Sequence, residues 1–212
     1  MSTTSTTRRT GRDGPWFAAA HGERGHRRPL WIMRQAGRYL PEYREVRSRM
    51  SFLELCADSD AACEVTMQPI RRYDMDAAIL ITDLLTPVIP MGVELEYNPG
   101  PVLPRTIRTD EDIDGLQEFD PEGGLKPMLD TVRKVRAALD ALPNGEEKAL
   151  IGFVGAPFTM ACYLIEGRGT KNWDETRRMM FEQPERFDRL LARITDCLVP
   201  LVAALRNAGA DA

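Results

Sequence analysis

AAILITD, residues 77–83, is the stretch on which the fold turns. Ala77 to Ile81 is an unbroken apolar run of strand length. Such runs belong to strands covered on both faces, as in a parallel sheet, rather than to the alternating strands of a half-solvated sheet. Thr82 and Asp83 follow at once. In barrels built from parallel strands, functional groups sit at the carboxyl ends of the strands. Asp83 is therefore placed for chemistry, and is equally placed to cap the turn that follows.

Working outward, a second apolar run, Ala149 to Val154, leads into Gly155-Ala156-Pro157. Between the two runs, Met128, Leu129, Val132, Val135, Leu139 and Leu142 recur at helical spacing. The other face of that helix carries Arg133, Lys134 and Arg136. Pro143-Asn144-Gly145 ends it. A further helix is expected from Pro157 to Gly167, then a flexible loop at Gly167-Arg168-Gly169. Two more helices follow, the last from about Pro184 to Asn207. Gly209 caps it, and Ala210-Asp211-Ala212 reads as the entrance to a third strand.

Upstream, Pro41 suits a first helical turn, and Ser51 and Asp58 are N-cap candidates for two helices, the second reaching Tyr73. Residues 93–97 alternate and are followed by Pro99, Gly100, Pro101 and Pro104, which predicts a short hairpin. Residues 1–14 read as a low-complexity, disordered tail. Strands alternating with helices predict an α/β fold with a parallel sheet. Two or three strands cannot close a barrel, which needs eight strands and about 250 residues. The expectation is one domain, residues 15–212, forming the N-terminal part of a (β/α)8 TIM barrel.

Composition narrows the function. The 212 residues are 43% hydrophobic and 28% charged, ordinary for a soluble globular protein. No apolar run approaches the roughly 20 residues needed to span a bilayer, so no membrane partner is expected. Cys56, Cys63, Cys162 and Cys197 form no CxxC pair and lie near neither His21 nor His26 at ligand spacing. They read as core residues or free thiols, which implies a cytoplasmic setting and no metal site. Residues 1–50 hold 11 Arg and no Lys against 4 acidic residues, about +7. The whole chain carries −4, which leaves about −11 for the rest. Such an asymmetry suits an anionic partner. Nucleic acid is disfavoured, because no recognition motif is present and the arginines are not interleaved with aromatics. A small polyanion fits as well, and Arg8, Arg9 and Arg12 read as a solvated tail.

Three segments carry candidate chemistry. In PLWIMRQAGRYLPEYR, residues 29–44, Arg34 and Arg38 lie four apart with Gln35 beside the first. On a helical turn both guanidinium groups would face one way, and paired forks suit carboxylates, although two such arginines also make an ordinary solvated face. Thr82-Asp83 is the second. The third is GFVGAPFTMACYLIEG, residues 152–167. Its small residues at a strand exit let backbone amides approach an anion. Tyr163 offers a hydroxyl there, or simply a packing ring.

Together these segments closely resemble the signature stretches of the uroporphyrinogen decarboxylase family. The resemblance rests on Met-Arg-Gln-Ala-Gly-Arg-Tyr-Leu-Pro-Glu-Tyr at 33–43 and on Gly-Phe-x-Gly-Ala-Pro-x-Thr running to Tyr-x-x-Glu-Gly at 152–167. Gln68-Pro69-Ile70-Arg71-Arg72-Tyr73 and Ile81-Thr82-Asp83-Leu84-Leu85 extend it, so that it covers about residues 25–212. Arg168 departs from it, standing where many relatives have a glycine-rich run. The resemblance implies a TIM barrel, a homodimer, no cofactor, and removal of the four acetate carboxylates of uroporphyrinogen. It implies that Arg34, Gln35, Arg38, Asp83 and Tyr163 line the substrate cleft, with Asp83, Arg34 and Tyr163 serving catalysis. Two rivals remain at this stage. One is a cobalamin- or thiol-directed methyltransferase on the same barrel, the other a non-catalytic tetrapyrrole-binding protein.

Overall fold

The computed structural model describes residues 12–37 and 39–212. Arg38 and residues 1–11 of the expected tail lie outside the described residues.

Four helices lead in. Helix α1, Pro15–Ala20, starts on a proline, and α2, Pro41–Arg47, does the same. Helix α3, Phe52–Ala57, opens with a complete capping box, Ser51 and Glu54 each accepting the other's backbone N–H. Helix α4, Ser59–Tyr73, is capped by the Asp58 carboxylate, which accepts from Asp60 and Ala61. Removing such a cap costs about 1 kcal/mol. Strand β1, Ala77–Ile79, follows, then the antiparallel pair β2, Glu96–Tyr97, and β3, Pro101–Val102. Helices α5, Asp110–Asp114, α6, Pro121–Gly124, and α7, Lys126–Asp140, lead to strand β4, Ala149–Ile151. Helices α8, Pro157–Glu166, α9, Asp174–Glu182, and α10, Pro184–Ala208, complete the chain.

Strands β1 and β4 are parallel, with Ala77 opposite Ala149 and Ile79 opposite Ile151. Leu80 N–H continues the ladder to the Ile151 carbonyl at 3.0 Å. Beyond β4, Asp211 N–H donates to the Leu150 carbonyl and Gly152 N–H to the Ala212 carbonyl, at 2.8 and 2.6 Å. The third strand thus begins beside the second, in sequence order, with helices between. That is the opening of a (β/α)8 barrel, the fold class expected. The strand cores are shorter than the apolar runs at 77–81 and 149–154, because the ladder stops where each chain bends into its loop.

Helix α7 crosses between the two strands and packs chiefly on α4. Met128, Leu129, Val132, Val135 and Leu139 face the core, as their spacing requires. Arg136 was expected on the solvent face and is instead buried. Its guanidinium donates to the Lys148 and Gly145 carbonyls and pairs with Asp211 and Asp140. A buried cation is tolerable only when paired in this way.

The N-terminal segment is more attached than expected. Arg12, read as part of a solvated tail, pairs with Asp211 at 3.3 Å and Asp140 at 3.4 Å. Helix α1, which propensity did not announce, packs Phe17 against Ala77 and Ala149 at the start of both strands. Arg27 forms a two-pronged bond to Asp76, at 2.6 and 2.7 Å. Part of the basic excess in the first 50 residues is therefore spent on acidic groups of the same chain.

Candidate active site

The carboxyl ends of β1 and β4 lie side by side and carry the candidate site. Asp83 is half-buried. Its Oδ1 accepts from Leu85 N–H at 2.8 Å, and its carbonyl accepts from Thr86. The capping role and a place at the strand end thus coexist in one residue, since a carboxylate has lone pairs to spare. A proline-containing 3-10 turn, Thr86–Val88, fixes the backbone just beyond. Opposite, Gly155 presses against Leu84, so the two strand exits are held together by a position without a side chain.

Asp83 has neighbours that sequence reasoning did not single out. Tyr97, from β2, is packed edge-on against Phe52 with ring centroids 5.3 Å apart. Its hydroxyl is buried and lies within the reach of the Asp83 carboxylate, without the alignment of a full hydrogen bond. Burial and then the Asp83 carboxylate push this phenol well above its ordinary range. The Cys56 thiol is likewise pushed up to about 12, by burial first and Asp83 second, so it is a protonated, inert group beside the site. A usable signal for Tyr97 was present. Val93 and Leu95 are buried, and a period of two puts residue 97 on the same face.

Tyr163 is half-buried on α8, its ring 5.3 Å from that of Trp173 in an edge-on pair. Trp173 holds a left-handed backbone, φ 56°, at the start of α9. The hairpin reaches this side as well. Leu103 N–H donates to the Gly167 carbonyl at 2.7 Å, and Val102 bridges to Arg168. The stretch 167–169, expected to be a flexible loop, is thus pinned at Gly167 and Arg168, with Gly167 in the left-handed conformation that ends α8.

Arg34 does not stand on a helical turn. Residues 31–37 form turns and bends, and Arg34 has φ 64°, a left-handed conformation that costs a non-glycine residue about 1 kcal/mol. Strain of this kind gathers at functional positions. The Arg34 side chain is exposed. Gln35 is buried and spans the loop, donating to the Ala77 carbonyl at 2.8 Å and accepting from Ile32 N–H at 3.0 Å. It moors the Arg34 loop to β1. Arg38 falls outside the described residues. The apolar pocket of about 310 Å³ between α8 and α9, lined by Phe158, Cys162, Trp173 and Met180, is separate from the strand-end residues.

The family described as "Uroporphyrinogen decarboxylase (URO-D)" matches residues 13–212. This chain belongs to the uroporphyrinogen decarboxylase family. Relatives carrying that name include one from Syntrophotalea carbinolica, 44% identical over 94% of this chain and 57% of its own. Another, from Trichlorobacter lovleyi, is 46% identical over 92% and 56%. A third, from Myxococcus xanthus, is 46% identical over 86% and 51%. The chain therefore spans about half the length of the relatives it matches. Among solved structures, a methyltransferase from Methanosarcina mazei superposes with a TM-score of 0.69 at 17% identity, over 93% of this chain and 56% of the other. At that identity the likeness speaks for the barrel fold alone, and it matches the fold expected of a decarboxylase of this family.

Proposed function

We propose that these residues are the N-terminal part of a cofactor-independent uroporphyrinogen decarboxylase, which converts the four acetate side chains of uroporphyrinogen III to methyl groups. The observation that carries the reading is the Asp83 carboxylate at the end of β1, in a chain 44–46% identical to relatives named for that activity.

Breaking the bond from methylene to carboxylate leaves an electron pair that needs a sink. Protonation of the ring carbon next to nitrogen, adjacent to the acetate-bearing carbon, turns the pyrrole into an iminium-like cation, and that ring accepts the pair as CO2 departs. A second proton then converts the exocyclic methylene to methyl, and loss of the first proton from the ring carbon restores the aromatic pyrrole, so that one proton replaces each CO2. The protein's task is to hold an octa-anion and favour ring cation. Asp83 accepts hydrogen bonds from pyrrole N–H groups and stabilises their positive charge, while Leu85 N–H keeps its carboxylate in place. Arg34 and Arg38 grip substrate carboxylates, and Gln35 holds the loop that presents Arg34. Tyr163 supplies a hydroxyl at the second strand end. A guanidinium is a poor acid at neutral pH, so Arg34 orients the reacting acetate rather than donating the proton itself.

The reading extends to a homodimeric, cytoplasmic enzyme with a complete barrel. The test is anaerobic incubation of the full-length protein with uroporphyrinogen III and chromatography of the oxidised products. Coproporphyrinogen III is expected without added cofactor, and no conversion would overturn the reading.

A further inference from the structure

Tyr97 has the one feature near Asp83 that its packing does not explain. A buried hydroxyl normally finds a partner, because leaving it unmade costs about 1–3 kcal/mol. The ring is accounted for by Phe52 and the core, and a phenylalanine would satisfy both. The hydroxyl is not accounted for by the packing, as it is buried, makes no well-aligned hydrogen bond, and has the Asp83 carboxylate within reach. Its location is also fixed from two sides. Tyr97 pairs with Pro101 across the hairpin, and the hairpin is tied through Leu103 and Val102 to the end of the helix that carries Tyr163. Asp83 has one oxygen committed to Leu85 N–H.

We propose that Tyr97 is a positioning residue for the decarboxylation, its hydroxyl turning to donate to Asp83 when substrate fills the cleft and so fixing the carboxylate plane beneath the pyrrole N–H groups. This rests on the decarboxylase reading above. The strong preference of the phenol for its protonated form keeps it a donor throughout turnover. The role acts through Asp83 and requires no contact between Tyr97 and the tetrapyrrole.

Tyr97→Phe in the full-length protein separates a positioning role from a structural one. Tyr97→Phe keeps the ring and its packing and removes a hydroxyl that lacks a well-aligned hydrogen bond, so Tm should stay within a few degrees, and measuring it on the same preparation separates lost activity from unfolding. The expected result is a fall in kcat of about tenfold or more, the size of one hydrogen bond to a charged group, with KM within about twofold. Added to Asp83→Asn, the same change should cost nothing further, because its effect passes through the carboxylate. Wild-type kcat in Tyr97→Phe, or an equal loss in the Asp83→Asn background, overturns the assignment. Failure of the unsubstituted protein to turn over overturns the decarboxylase reading itself, and is distinguished by that control.

Discussion

Gly155 and the carbonyl oxygen of Leu84 approach so closely that a Cβ on residue 155 would stand 2.7 Å from that oxygen. The contact joins the exits of the two strands at the residue next to Asp83. Gly155→Ala should therefore push the exits apart and destabilise the protein by about 2 kcal/mol, as overpacking does. Because Leu84 is the neighbour of Asp83, kcat should fall with it. Thermal unfolding and steady-state kinetics on the same preparation check both effects, and a silent substitution would separate Gly155 from the site.

At Arg34, stability and activity should part company. Arg34→Gly relieves the left-handed backbone and should stabilise by about 1 kcal/mol, while removing the guanidinium and most turnover. Arg34→Lys keeps the charge and loses the planar fork. We expect it to lose about tenfold or more in kcat/KM, the scale of a hydrogen bond to a charged group. Near-normal kinetics for Arg34→Lys would reduce Arg34 to a source of positive potential.

The Arg27–Asp76 pair should make stability depend on acid. Burial opposes ionisation of Asp76, but the Arg27 fork and Leu30 N–H outweigh it, and the carboxyl lies below its ordinary value. A depressed carboxyl contributes its full stability above the unfolded pKa of about 4 and loses it as pH falls further. Asp76→Asn should cost about 2 kcal/mol at neutral pH, allowing for the partly exposed Arg27. It should also flatten the fall in Tm below pH 4. An unchanged acid limb in the variant would place the acid sensitivity elsewhere.

Residues 1–212 expressed alone should associate and lack activity. The third strand only begins at Ala210, and Val199 and Val202 on α10 are exposed. An uncovered edge and apolar face invite contact with other copies. Light scattering and near-ultraviolet circular dichroism decide the matter. A monodisperse monomer with sharp cooperative unfolding would contradict this expectation.

Much of this architecture was legible because its signals are local. Ser51 with Glu54 and Asp58 announce helix starts through short-range hydrogen bonds. The continuous runs at 77 and 149 announce buried strands, and the hydrophobic stripe of α7 announces its packed face. What escaped depends on distant partners. Helix α1 is six residues without a side-chain cap and is backed by Ala77 and Ala149, more than 50 residues away. Arg136 is buried because Asp211 waits for it at the third strand. The left-handed turn at Arg34 has no glycine to give it away. Asp83 and Tyr163 stood out from the strand ends and the signature stretches. Tyr97 did not, since its neighbourhood with Phe52 and Asp83 depends on elements brought together only by the fold.

Asp83→Asn in the full-length protein tests the central claim most directly. Asparagine Oδ1 can still accept from Leu85 N–H, so the local turn should survive while the carboxylate charge disappears. With Tm within a few degrees of the parent, anaerobic turnover of uroporphyrinogen III should fall at least about a hundredfold, the scale of losing one preorganised electrostatic partner in a dry site. Coproporphyrinogen III formed at close to the parental rate by a normally folded Asp83→Asn protein would contradict the account.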